Sequence, residues 1–149
     1  MLDSLKKIAI GSDHAGFILK EYLKEYLQKE QYSVTDFGTF SEESMDYPDP
    51  IHPLALAVNN NEFERGVIMC GSGNGVAMVA NKYCKVRAAV CWSGEIVKLA
   101  RQHNNANIIS LPARYISREQ ALEFLQLFLA TEFEGGRHQK RVEKISQIL

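Results

Sequence analysis

Five short apolar runs, separated by longer stretches of helical period, limit most strongly what this chain can fold into. "KIAIG" (7–11), "YSVTDFG" (32–38), "GVIMC" (66–70), "VRAAVC" (86–91) and "ANIISL" (106–111) are brief and rich in Val and Ile. Each is bounded by Gly, Ser or Asn, so each reads as a buried strand. Between them, 15–30, 50–61, 75–83, 94–103 and 117–131 read as helices, with a weaker one at 139–149. Phe17, Leu19, Tyr22, Leu23, Tyr26 and Leu27 form an apolar stripe on the first. Ser117, with Glu119 and Gln120 behind it, is placed to cap the fifth. In the last, Val142, Ile145, Ile148 and Leu149 share a face. Such alternation predicts an open five-stranded parallel sheet with helices on both faces. Ligands of such sheets bind beyond the carboxyl ends of the strands, near a reversal of strand order.

Size and composition narrow the class. The 149 residues are expected to form a single domain spanning 1–149. A net charge of -1 offers no general basic surface for nucleic acid. No apolar run approaches the roughly 18 residues of a membrane span. The start, "MLDSLKKIAIGSDHAG", lacks a signal-peptide layout. Cys70, Cys84 and Cys91 are odd in number and contain no C-x-x-C. That argues against a disulfide framework and a zinc knuckle. A reduced, cytoplasmic protein is expected.

The strand ends carry the chemistry. "GSDHAG" follows the first strand and places Asp13 and His14 at a helix start. Asp there is an ordinary N-cap. A cationic His is disfavoured there, unless an anion such as phosphate arrives. "CGSGNG" (70–75) follows the third strand and presents backbone N–H groups to an anion, or makes a tight turn. It is not a Walker loop, because "NGVAM" follows where Gly-Lys-Ser/Thr would be needed. It is not a dinucleotide loop, which would be G-x-G-x-x-G after the first strand; Asp36 is the one feature such a reading uses. It is not a cysteine-phosphatase loop, since Val76 occupies the arginine position. A free Cys is often a small buried hydrophobe. At a helix start a thiol pKa falls from about 8.5 toward neutrality, which suits a general base. Cys84 and Cys91 lack that setting and read as structural.

"RQHN" places His103 and Asn104 at the end of the fourth helix, where a His can simply partner the dipole. In "EGGRHQKR", Arg137 and Arg141 are four apart and share a helix face that can clamp phosphate; a solvated basic turn is the plainer reading. "MDYPD" exposes Tyr47, and His52 in "PIHP" has no evident partner. Too few Cys and His stand at ligand spacing for a catalytic metal. A base, a histidine–carboxylate set, an amide cradle and several cations suit proton movement on a phosphorylated small molecule.

"GSDHAGFILK", "DYPD", "CGSGNG", "ANK", "RQHNNAN" and "EGGRHQKRVE" closely resemble the ribose-5-phosphate isomerase B family, in order and nearly end to end. The resemblance implies a Rossmann-like three-layer αβα sandwich with a C-terminal helix. It implies a homodimer, alone or paired into a tetramer, with active sites at the subunit interface. The implied reaction interconverts ribose 5-phosphate and ribulose 5-phosphate, in the non-oxidative pentose phosphate pathway, without cofactor or metal. Cys70 would be the base, working through a cis-enediolate; Val76 fills the place where other members carry a Glu base instead. The amides of Gly71, Ser72, Gly73, Asn74 and Gly75, helped by the Ser72 hydroxyl, would hold the enediolate oxygen. His103, Asp13 and Tyr47 would open the ring. His14, Arg114, Arg137 and Arg141 would hold the phosphate, with His138 nearby and Asn104 on a sugar hydroxyl. Some of these groups would come from the partner. Ser72 replaces a frequent Thr, and Pro112 a frequent Gly that precedes the Ala-Arg pair. Alternatives are an isomerase of allose 6-phosphate, a galactose-6-phosphate isomerase subunit, a sugar-phosphate-binding protein without turnover, and a dinucleotide-binding module. Galactose-type relatives tend to lose the "RQHN" and "GGRH" motifs, which this chain keeps.

Overall fold

The computed structural model describes residues 6–147. Strands β1 (Lys7–Ser12), β2 (Ser33–Asp36), β3 (Arg65–Cys70), β4 (Ala88–Val90) and β5 (Ile108–Pro112) form one parallel sheet, ordered β2-β1-β3-β5-β4. The helices are α1 (Phe17–Lys29), α2 (Pro48–Asn59), α3 (Asn74–Ala80), α4 (Gly94–Gln102), α5 (Arg118–Ala130) and α6 (Arg137–Lys144). The expected three-layer α/β sandwich is therefore present, with its C-terminal helix.

Strand alternation builds two cores. Val67 and Met69 of β3 face one side, against Leu23 and Leu27 of α1, Val97 of α4 and Phe124 of α5. Ile68 and Cys70 face the other, against Ile51 and Leu54 of α2 and Val76 and Ala80 of α3. Leu23 and Leu27 are fully buried, each contributing about 1.5–3 kcal/mol. Because α1 and α3 lie on opposite faces, the chain diverges between β1 and β3. A crevice opens at their carboxyl ends.

Several elements differ in extent from the sequence expectation. The first helix opens as a 3-10 turn, His14–Gly16, because Asp13 Oδ1 accepts the Gly16 N–H at 3.0 Å. A Cβ on Gly16 would stand 2.6 Å from Met69 Cγ, so glycine lets this turn press onto β3. Helix α3 stops at Ala80, because the Asn81 amide bonds both backbone groups of Ala88 and pulls the chain into β4. β4 is correspondingly short. Ser117 and Gln120 form a capping box on α5. The last helix starts two residues early, at Arg137, after Gly136 at φ 54. Ile148 and Leu149, expected on its face, lie outside the described residues.

A buried ion network fastens α1 to the loop after β2. Lys20, fully buried, donates to Asp36 Oδ2 at 2.5 Å, and Lys24 donates to the same oxygen at 2.8 Å. Asp36 Oδ1 accepts from the Gly38 amide, and the Gly38 carbonyl accepts from Ser12 N–H at 2.7 Å. Asp36 is thus structural. Among the described residues, no helix is long and apolar enough to cross a membrane.

Candidate active site

Cys70 ends β3 with 6% of its surface exposed. Its sulfur accepts the Gly73 N–H at 3.2 Å. Gly73 has φ 78, and a Cβ there would lie 3.2 Å from the Leu111 carbonyl carbon and the Pro112 nitrogen. Only glycine fits without strain. Its carbonyl accepts from buried Ser110 Oγ at 2.6 Å. The Asn74 amide donates to Ser72 Oγ at 3.2 Å. The N–H groups of Gly71 and Ser72 precede α3 and that of Gly75 lies in its first turn, where the helix supplies no acceptors. The result is an amide cradle over a thiol.

The neighbouring loops converge on that cradle. Asp13 is 8% exposed, with one carboxylate oxygen committed to the cap. His14 Nδ1 accepts the Met45 N–H at 3.3 Å, which leaves the ring proton on Nε2, available to donate. The Tyr47 ring lies against Gly75; a Cβ there would come within 2.9 Å of it. Arg114 donates its backbone N–H to the Gly71 carbonyl at 3.0 Å, and its guanidinium lies over Gly71. Pro112 pairs in register with Cys70, and Ala113 donates to the Cys70 carbonyl. The proline therefore leaves Arg114 facing the loop.

The remaining predicted residues sit elsewhere. α4 runs back against the strands, so His103 and Asn104 emerge at the amino end of the sheet, before β5 begins. The Glu134 amide donates to the Gln102 carbonyl and brings α6 to the same place. His103 and His138 stack with centroids 4.2 Å apart, and Arg137 and Arg141 belong to the same helix as His138. Burial first, then the charges of His103 and Arg137, hold His138 below the ordinary histidine range. About 13 Å of β5 separates this end from the thiol end. One chain thus holds two half-sets. Asp13, His14, Tyr47, Cys70, residues 71–75 and Arg114 form one; His103, Asn104, Arg137, His138 and Arg141 form the other.

Burial pushes the Cys91 thiol up to about 12, so it stays protonated, whereas Cys84 is exposed. His52 finds a partner in Tyr83, sharing a 2.7 Å hydrogen bond. The sequence reading missed Ser110, the Met45 amide and Glu134. Glu134 had one visible signal, its position four residues before His138. Spacing also did not disclose that His103, Glu134 and His138 meet.

Residues 8–145 match the family described as Ribose/Galactose Isomerase. Ribose-5-phosphate isomerase B of Escherichia coli K12 is 42% identical over 144 residues, 97% of each chain. A ribose 5-phosphate isomerase of Thermotoga maritima superposes with a TM-score of 0.93 at 47% identity, covering 96% of this chain and 99% of that one. Ribose-5-phosphate isomerase B of Mycoplasma genitalium, solved with bound ribulose-5-phosphate, gives 0.91 at 40% identity, covering 95% and 94%. The cradle over Cys70 thus stands in a chain that belongs to the ribose/galactose isomerase family.

Proposed function

We propose that this protein interconverts D-ribose 5-phosphate and D-ribulose 5-phosphate as a homodimer, each active site shared between two copies. The carrying observation is the cradle: a thiol at the sheet's carboxyl end, beneath backbone donors, with His14, Tyr47 and Arg114 around it. Binding alone needs no base, so this arrangement favours turnover over a carrier role.

Cys70, as thiolate, takes the proton from C2 of the open-chain aldose. The C2–H electron pair becomes the enediolate double bond, while the aldehyde oxygen takes up negative charge. The amides of Gly71, Ser72 and Gly75 stabilise that charge where it develops, while the Gly73 N–H stays on the Cys70 sulfur. The proton of the C2 hydroxyl passes to O1, which shifts the negative charge to O2. Cys70 then returns its proton to C1 as the O2 charge closes the C2 carbonyl, and the ketose forms with no net oxidation. His14 Nε2–H and Arg114 meet the phosphate from one copy. Arg137 and Arg141 meet it from the other, which also brings His103 to the ring oxygen and Asn104 to a hydroxyl. Asp13 and Tyr47 assist ring opening. A two-fold dimer joins unlike ends of two chains twice, which completes both sites. We place the reaction in the cytoplasm.

The test is turnover of ribose 5-phosphate, allose 6-phosphate and galactose 6-phosphate in the presence of EDTA. Fast turnover of ribose 5-phosphate is expected. Preference for a 6-phosphate would overturn the substrate assignment. Tight binding without turnover would overturn the enzyme.

A further inference from the structure

Outside the thiol half-site, the fold assembles three donors of a different kind. Glu134 Oε1 lies 3.7 Å from His103 Nε2 and 3.6 Å from His138 Nε2. Both distances exceed a hydrogen bond. All three donor atoms fall within 4.8 Å of one another. A tetrahedral zinc ion bonds His nitrogen at about 2.0–2.1 Å and carboxylate oxygen at about 2.0–2.2 Å, placing neighbouring ligand atoms roughly 3.3–3.4 Å apart. The two Glu–His edges need to shorten by only a few tenths of an ångström. Two His and one Glu, with water in the fourth position, is a donor set that zinc uses.

The imidazole planes are 14° from parallel, so a shared ion requires one ring to turn. His103 has a side chain 39% exposed and sits at the end of α4, whereas His138 is only 7% exposed. His103 is therefore the ring that moves. Arg137 and Arg141 oppose a cation here, and Glu134 is the one carboxylate in the trio. That balance disfavours Mg²⁺ and Ca²⁺, which bond oxygen, and leaves the borderline ions that imidazole suits.

We infer that His103, Glu134 and His138 form a site for zinc or a similar transition-metal dication, and that its occupation withdraws His103 from the substrate. The second clause rests on the isomerase proposal; the binding does not. The site would act as a reversible inhibitory one.

The experiment titrates the chelator-stripped full chain with Zn²⁺ by calorimetry, and with Co²⁺ by visible absorption. The expected result is one zinc per chain. Affinity should fall at least tenfold in Glu134→Gln and in His138→Asn, and hold in Cys84→Ser. Cobalt should show four-coordinate bands without thiolate charge transfer. Zinc should also slow isomerisation, and EDTA should restore it. Equal zinc affinity in Glu134→Gln and His138→Asn, or a thiolate band, overturns the inference and leaves the isomerase proposal standing. Zinc bound at the trio without slowed turnover confirms the site and removes His103 from the proposed chemistry.

Discussion

The Gly73 amide points at the Cys70 sulfur across 3.2 Å, donating a hydrogen bond to it. The same glycine is held from beneath by Ser110, so the cradle is anchored to β5 as well as to β3. That contact ties the proposed base to the loop proposed to stabilise the charge it creates.

Cys70→Ala is expected to lower kcat by on the order of 10²–10⁴, the usual worth of a general base. Binding of a sugar phosphate should remain, because the proposed phosphate groups are untouched. Steady-state kinetics with a calorimetric binding measurement checks both. Near-normal turnover in the alanine variant would remove Cys70 from the chemistry.

Gly73→Ala forces a side chain into left-handed backbone, at a cost of about 1–2 kcal/mol. Tm should drop by roughly 2–8 °C in a chain of this size. The new Cβ would press on the backbone of Leu111 and Pro112, so kcat should fall too. Calorimetric scanning alongside the isomerase assay tests the pairing. A catalytic loss without a Tm change would mean the strain is absent.

Arg137→Ala is expected to raise KM more than it lowers kcat. A phosphate clamp holds ground state and transition state alike. A defect confined to kcat would instead place Arg137 at the reacting carbons.

Asp36 links stability to pH. Burial alone would raise its pKa, but hydrogen bonds from Lys20, Lys24 and the Gly38 amide outweigh burial and hold it below the usual carboxylate range. A depressed folded pKa gives stability that is present above the unfolded value, about 3.9. That stability is lost as pH falls through the folded value. Asp36→Asn should therefore be less stable than the parent at pH 7, with the difference shrinking below about pH 4. Urea unfolding across that window measures it. An equal deficit at both ends of the range would contradict the linkage.

What the sequence disclosed depended on how local each feature was. β3 and its loop were legible because a Val-Ile-Met run meets three glycines within six residues. The C-terminal half-set was visible as residues but not as a place. Its location follows from α4 running against the strands, which sequence order implies only once the sheet is known to be parallel. The end of α3 was not legible, since Asn81 is an unremarkable helix residue until Ala88 arrives to pair with it. The meeting of His103 with His138 was hidden for the same reason, because α5 and a return loop separate them. Ser110 reads as one more strand residue, and only the strand register puts its hydroxyl under Gly73.

The most direct test of the proposed shared site mixes two variants, each expected to be inactive alone. Cys70→Ala lacks the thiol half-set, and His103→Ala lacks the ring-opening half-set. Mixed under conditions that exchange subunits, they form heterodimers in which one of two sites is intact, so about a quarter of parental activity on ribose 5-phosphate should return. A mixture that stays inactive, although both variants are folded and exchange is demonstrated, would contradict the account.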